Sequence, residues 1–169
     1  MTADDDLFRK SMRLLAGGVT IVTSAFEGCR SGLTATAVCS LALSPPRILA
    51  SINVQGDTFG IIRRSRCMSV NLLSLEHERL ARRFSTRRAM LNEDRFGAGT
   101  WVIRCTGAPV LADALAALDC RVTEIIELDS HAILIGLIED IVFGPPRPPL
   151  IHFESQYTSV VGAIPEKLA

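Results

Sequence analysis

The stretch GLTATAVCSLALSPP, residues 32–46, carries the residue types and spacing in this chain that could do chemistry. A glycine, two threonines and a series of small side chains run along a strand-like segment ahead of a double proline. Small side chains let a backbone come close to a flat ligand, and threonine hydroxyls with exposed amides can bind carbonyl, ring-nitrogen and phosphate groups. An ordinary small-residue strand in a tight barrel has the same composition, so composition alone leaves both readings open. Other chemistries find less support. No G-x-G-x-x-G opens a helix, no G-x-x-x-x-G-K-[ST] occurs, and no G-x-S-x-G nucleophile elbow is present. His77, His131 and His152 are too scattered for a metal pair, and no cysteine stands beside them, so no metal site is expected. Glu124, Glu127, Glu139 and Asp140 sit on segments that read as edge or solvent faces, where solvated charge accounts for them.

The elements that would position residues 32–46 are mostly strands. An aspartate-rich start, with Leu7, Phe8, Met12 and Leu15 at helical spacing, predicts a helix over about 4–15, ended by Gly17 and Gly18. VTIVTSA (19–25) and a run through 32–39 read as a hairpin about a turn at Glu27-Gly28. Pro45-Pro46 closes the next loop, and Ile48 to Asn53 reads as a buried strand. A short helix over 58–65, a strand from Met68 to Leu73 and a helix from Leu75 to Phe84 follow. Residues 86–108 look like a long excursion that packs at most Trp101 and Val102 as a strand. Two long strands, Leu118 to Leu128 and Ala132 to Val142, flank a turn at Asp129-Ser130, and four prolines between 145 and 149 begin an extended tail over about 144–169. Many strands with few short helices exclude a doubly wound sheet and favour a barrel or sandwich. Apolar residues on both faces of 132–138 imply cover by a helix or a second subunit, which makes a homodimer a reasonable expectation.

A chain of 169 residues with 48% apolar composition has the size and core material of one domain, expected to span 1–169. Eighteen basic and eighteen acidic residues cancel, so net charge gives no reason to expect nucleic acid or an anionic membrane as a partner. Three aspartates near the N-terminus are the reverse of a secretory signal, and no apolar stretch approaches a membrane span. Five cysteines, no two closer than ten residues, suggest neither a disulfide framework nor a zinc knuckle but buried reduced thiols in the cytoplasm.

GGVTIVTS (17–24), GLTATAVCSLALSPP (32–46), SIN with Thr58 (51–58), MSVNLLS (68–74), GAPVLADALAALDCRV (107–122) and SHAILIG (130–136) follow the order and spacing of the short-chain flavin reductases. The chain resembles the reductase components of two-component flavin monooxygenases over about residues 7–160. The resemblance implies a mainly β FMN-binding split barrel with a few short peripheral helices. It also implies an NAD(P)H:flavin oxidoreductase that moves hydride from NADH or NADPH to FMN or FAD, for use by a separate oxygenase. By the same resemblance Thr34, Ala35, Thr36, Ala37 and Val38 line the isoalloxazine edge through backbone groups, and Ser51 and Asn53 border the ribityl chain. Thr58 contacts flavin phosphate, with Gly56 standing where the family commonly has a serine. Asp57 beside it opposes phosphate unless arginines offset it. Eight of the 18 basic residues fall between Arg63 and Arg88. Arg82 and Arg83, near Phe84, are the candidates for a phosphate or adenine partner, a solvated helix face being the alternative. The family's Gly-Asp-His appears as Asp129-Ser130-His131, which places His131 near the nicotinamide. Tyr157 matches a late tyrosine that closes over the flavin, or else simply packs. Hydride transfer of this kind needs no obligatory protein base, consistent with the absence of an acid–base constellation. A split-barrel flavoprotein acting on another small substrate, and a non-catalytic flavin-binding protein, are the alternative functions.

Overall fold

The computed structural model describes residues 4–86 and 92–160; Arg87 and Arg88 of the basic run and residues 161–169 of the expected tail lie outside the described residues. Asp4 caps the first helix, α1 (Asp5–Arg13), its carboxylate accepting from the amides of Asp6 and Leu7 at 3.0 Å. Acidic residues in its first turn and Lys10 and Arg13 in its last complement the helix dipole. None of its residues is buried. After β1 (Gly17–Gly18), strands β2 (Thr20–Phe26) and β3 (Cys29–Ala35) form a hairpin whose turn residues Glu27 and Gly28 both have positive φ, 49° and 78°. Such a turn matches the twist of paired strands. Next come β4 (Val38–Leu43), β5 (Pro46–Asn53), α2 (Asp57–Ser65) and β6 (Cys67–Leu72). A 3-10 turn (Leu75–His77) leads into α3 (Glu78–Ser85), followed by α4 (Asn92–Phe96), β7 (Trp101–Ile103) and β8 (Pro109–Leu111). The chain continues through β9 (Ala116–Glu127), β10 (His131–Phe143), β11 (Ile151–Phe153) and β12 (Gln156–Thr158).

Seven strands form one antiparallel sheet in the order β3-β2-β6-β9-β10-β5-β4. Its two outermost strands, β3 and β4, are consecutive in the chain and joined only by Thr36 and Ala37. The three Cα steps from Ala35 to Val38 reach no more than about 11 Å. The sheet therefore curls until its edges nearly meet, which makes a barrel split along the β3–β4 seam. Both faces of β2 are buried, because Ile21 points into a cluster with Leu80, Ala81, Phe84 and Leu111 while Val22 points into one with Ile52, Phe59, Ile62 and Met68. That two-sided burial is why VTIVTSA reads as a nearly continuous apolar run. Helices α2 and α3 pack on β2 and β3, and α4 on β3. On β10, Ala132, Leu134 and Gly136 are buried while Ile133, Ile135 and Leu137 are half-buried.

Several expectations need correction. The run 32–39 is not one strand: the chain leaves β3 after Ala35 and joins β4 at Val38, because the sheet ends there and Val38 pairs with Ala50 of β5 instead. The segment from Leu75 to Phe84 begins as a 3-10 turn, with Ser74 and His77 closing a capping box, before α3 starts. Residues 86–108 contribute more than a strand. Phe96 and Trp101 pack edge to face at 4.9 Å, and both meet Phe84. Inside the expected extended tail, β11 and β12 form a hairpin, and β11 also pairs with β1. Glu124, Glu127, Glu139 and Asp140 stand toward the solvent side of β9 and β10, but on central strands rather than edges, while Asp119 of β9 is buried and accepts from the Thr106 amide. Each of the first four meets an arginine: Arg47–Glu124, Arg63–Glu127, Arg121–Glu139 and Arg104–Asp140. The hydrogen bond from Arg104 holds the Asp140 carboxyl below its ordinary range.

Candidate functional site

A cleft of about 660 Å³ opens at the split, walled by β3 with the Thr36-Ala37 link, by the end of β5, by the start of α2 and by the end of α3. Gly32 sets the depth of one wall. A Cβ there would meet the Phe84 ring at 2.8 Å and Thr23 Cγ2 at 3.1 Å, so only glycine lets α3 lay that ring against β3. The Thr34 hydroxyl donates to the Ala81 carbonyl at 2.6 Å and so ties β3 to α3. What Thr34 offers the cleft is backbone.

At the seam, the Val38 amide donates to the Thr36 carbonyl at 3.0 Å and the Ser51 amide to the Ala37 carbonyl at 2.9 Å. The amides of Thr36 and Ala37 donate to no backbone carbonyl among the described residues. A ligand edge lying along the seam would find two free donors and two alanine methyls, Ala35 and Ala37, that leave room for a flat ring. Asn53 Oδ1 accepts from the Gln55 amide at 2.8 Å and bends the chain toward Gly56, the N-cap of α2. No side chain caps that helix, so its first-turn amides face the cleft end without a side-chain acceptor. Buried Thr58 meets the Ser31 hydroxyl at 2.9 Å across this end. Beside Asn53, on the neighbouring strand β10, His131 stands in register with it, and its Nδ1 lies 2.8 Å from the Ser130 hydroxyl.

The cleft therefore brings together Thr34, Ala35, Thr36, Ala37, Ser51, Asn53, Gly56, Thr58, Phe84 and His131. Four residues singled out from the sequence lie elsewhere. Val38 packs against the core on the α2 side. Arg82 pairs with Glu78 at 2.8 Å and stacks over the Tyr157 ring at 4.8 Å, which occupies both residues with each other. Arg83 donates to the Asp94 carbonyl at 2.6 Å. Ser31, Gly32, Leu33, Gln55, Ser85, Thr86 and Arg95 also line the cleft. Gly32 and Leu33 lay inside the small-residue stretch and were within reach of its reading. Arg95 was not: it reaches the wall through the Thr86 carbonyl at 2.8 Å and the Gly32 carbonyl, 63 residues earlier, at 3.2 Å, and no local pattern marks it.

The flavin reductase like domain matches residues 12–160 of the chain. An FMN reductase (NADH), RutF, of Ancylobacter novellus is 37% identical over 155 residues, covering 92% of this chain and 84% of its own. Among solved structures, the flavin reductase PheA2 is 30% identical with a TM-score of 0.82, over 94% of this chain and 99% of that one. Nitrilotriacetate monooxygenase component B of Mycobacterium thermoresistibile is 25% identical with a TM-score of 0.86, over 98% and 93%.

Proposed function

Because the chain belongs to the flavin reductase-like family, we propose that it is an NADH:flavin oxidoreductase whose cleft at the β3–β4 seam holds FMN. The observation that carries this reading is the seam itself, where two free amides and small side chains border a cleft deep enough for a flat heterocycle. When bound, the flavin supplies the hydride acceptor for the reduced nicotinamide. The chain's own part is alignment. Amides of Thr36 and Ala37 hold the polar edge of the ring, and Ala35 and Ala37 admit it closely. Ser51 and Asn53 border the ribityl chain, while the start of α2 with Thr58 receives the phosphate. His131, in register with Asn53, faces the nicotinamide. None of these groups has to exchange a proton with substrate for hydride to move, which fits a cleft lined by amides and hydroxyls rather than by an acid–base pair.

Three further statements belong to the proposal. The family's monooxygenase components support release of reduced flavin to a separate oxygenase. Leu41, Leu43, Ile141 and Phe143 are exposed on sheet strands, Leu43 to 90%, which supports cover by a second copy in a homodimer. Five free cysteines, of which Cys67 and Cys120 are buried and Cys29, Cys39 and Cys105 are exposed rather than buried as expected, support a reducing compartment, the cytoplasm. The functional reading is tested by NADH oxidation with added FMN, FAD or riboflavin, each measured against the same flavin without protein. Oxidation well above that background, strongest with FMN, is the expected result, and none above it overturns the reading.

A further inference from the structure

We propose that Arg95 makes this cleft select a phosphorylated flavin over an unphosphorylated one. The proposal rests on the flavin-reductase reading and supplies the charge that Arg82 and Arg83, turned away from the cleft, do not. The Arg95 guanidinium lines the wall, where Nη1 donates to the Gly32 carbonyl at 3.2 Å and Nη2 to the Thr86 carbonyl at 2.8 Å. These anchors come from the two walls that β3 and the end of α3 provide, so the side chain is held in place by protein alone. A guanidinium has five N–H groups. Two are used in this way, and Nε has no partner among the described residues.

Both anchors are neutral carbonyls, and no carboxylate of the described residues makes an ion pair with Arg95. Arg64 pairs with Glu27, Arg82 with Glu78, Arg104 with Asp140 and Arg121 with Glu139, and Arg83, held like Arg95 by a carbonyl, does not line the cleft. A fixed cation without a counter-charge, in the wall of a cleft, is matched to an anion from outside the chain. Its location indicates which anion. Gly32 follows Ser31, whose hydroxyl meets Thr58 in the first turn of α2. Guanidinium, two hydroxyls and an uncapped helix start thus share one end of the cleft, and each favours a phosphate. Asp57 stands at the same end, an adverse charge that Arg95 offsets. Apart from Asp57 and Arg95, no residue lining the cleft is an acid, a lysine or an arginine. A flavin bound with its ring at the seam would place its phosphate, and nothing else of like charge, against Arg95.

The test is equilibrium binding of FMN and of riboflavin to the purified full chain, followed by quenching of flavin fluorescence, for wild type, Arg95→Gln and Arg95→Lys. Arg95→Gln is expected to weaken FMN about tenfold or more, the worth of one charge-assisted hydrogen bond, and to leave riboflavin within about twofold. Arg95→Lys retains part of the FMN preference. Parallel weakening of both flavins would make Arg95 only a tie between β3 and α3, and unchanged FMN affinity would remove it from the site; either result overturns the proposal. Should Arg95→Gln not fold, Arg95→Lys decides on the same criterion, since its loss must fall on FMN alone. Wild-type protein that binds neither flavin fails the flavin-reductase reading itself, a result distinct from any seen with the Arg95 variants.

Discussion

Two polar regions of this molecule, the junction of β2, β6 and β8 and the cleft at the split, are built from similar residues to opposite ends. At the junction every donor ends on protein. Asn71 Nδ2 donates to the Ile21 carbonyl at 2.9 Å, and its Oδ1 accepts from the Leu111 amide at 2.7 Å. Thr23 donates to the Pro109 carbonyl at 2.5 Å and Ser24 to the Cys67 carbonyl at 2.7 Å. Asn71, Thr23 and Ser24 are fully buried. In the cleft, by contrast, the Thr36 and Ala37 amides, the first turn of α2 and the Arg95 charge are left with capacity to spare. Buried polar groups without partners are costly, so a fold closes them off where only stability is at stake. Unspent capacity at the split is the mark of a surface shaped for a ligand.

The largest expected effect lies at the junction. Asn71→Ala leaves the Leu111 amide buried without a partner and removes the side-chain bond to the Ile21 carbonyl, and should lower unfolding free energy by about 2 kcal/mol in urea denaturation. The folded fraction should bind FMN as wild type does. Altered flavin affinity with unchanged stability would break the contrast between the two regions. Gly32→Ala probes the place where they touch, because its Cβ would push Phe84 off β3. Stability should fall by about 1–3 kcal/mol, as for other overpacked sites, and FMN affinity should drop severalfold with it. A stability loss with no change in flavin binding would mean that the Phe84 wall does not shape the site.

How much of this was legible in the sequence differs between the same two regions. The strand run 32–39 announced the seam by its glycine and small side chains, but not the break in it. Thr36 and Ala37 are no chain breakers, and they leave the ladder because the sheet ends there, which is a fact of tertiary pairing. The C-terminal hairpin of β11 and β12 was hidden for a local reason. Its turn residues Glu154 and Ser155 take positive φ, 48° and 63°, where glycine or asparagine normally advertises such a turn. For Arg82 the helix-face alternative had a local signal, since Glu78 four residues earlier is a standard helix ion-pair partner. Arg95 had no such signal. Its anchors, Gly32 and Thr86, come together only when α4 folds onto the seam. Short β8, opening on Pro109, carried too few residues to show a period.

The central claim is that the split holds a flavin for hydride transfer, and a single-turnover experiment tests it most directly. Protein loaded with FMN is mixed without oxygen against NADH while the absorbance of oxidised flavin is followed. Bleaching much faster than for the same FMN and NADH without protein is predicted. Bleaching at the rate of the protein-free mixture would contradict it.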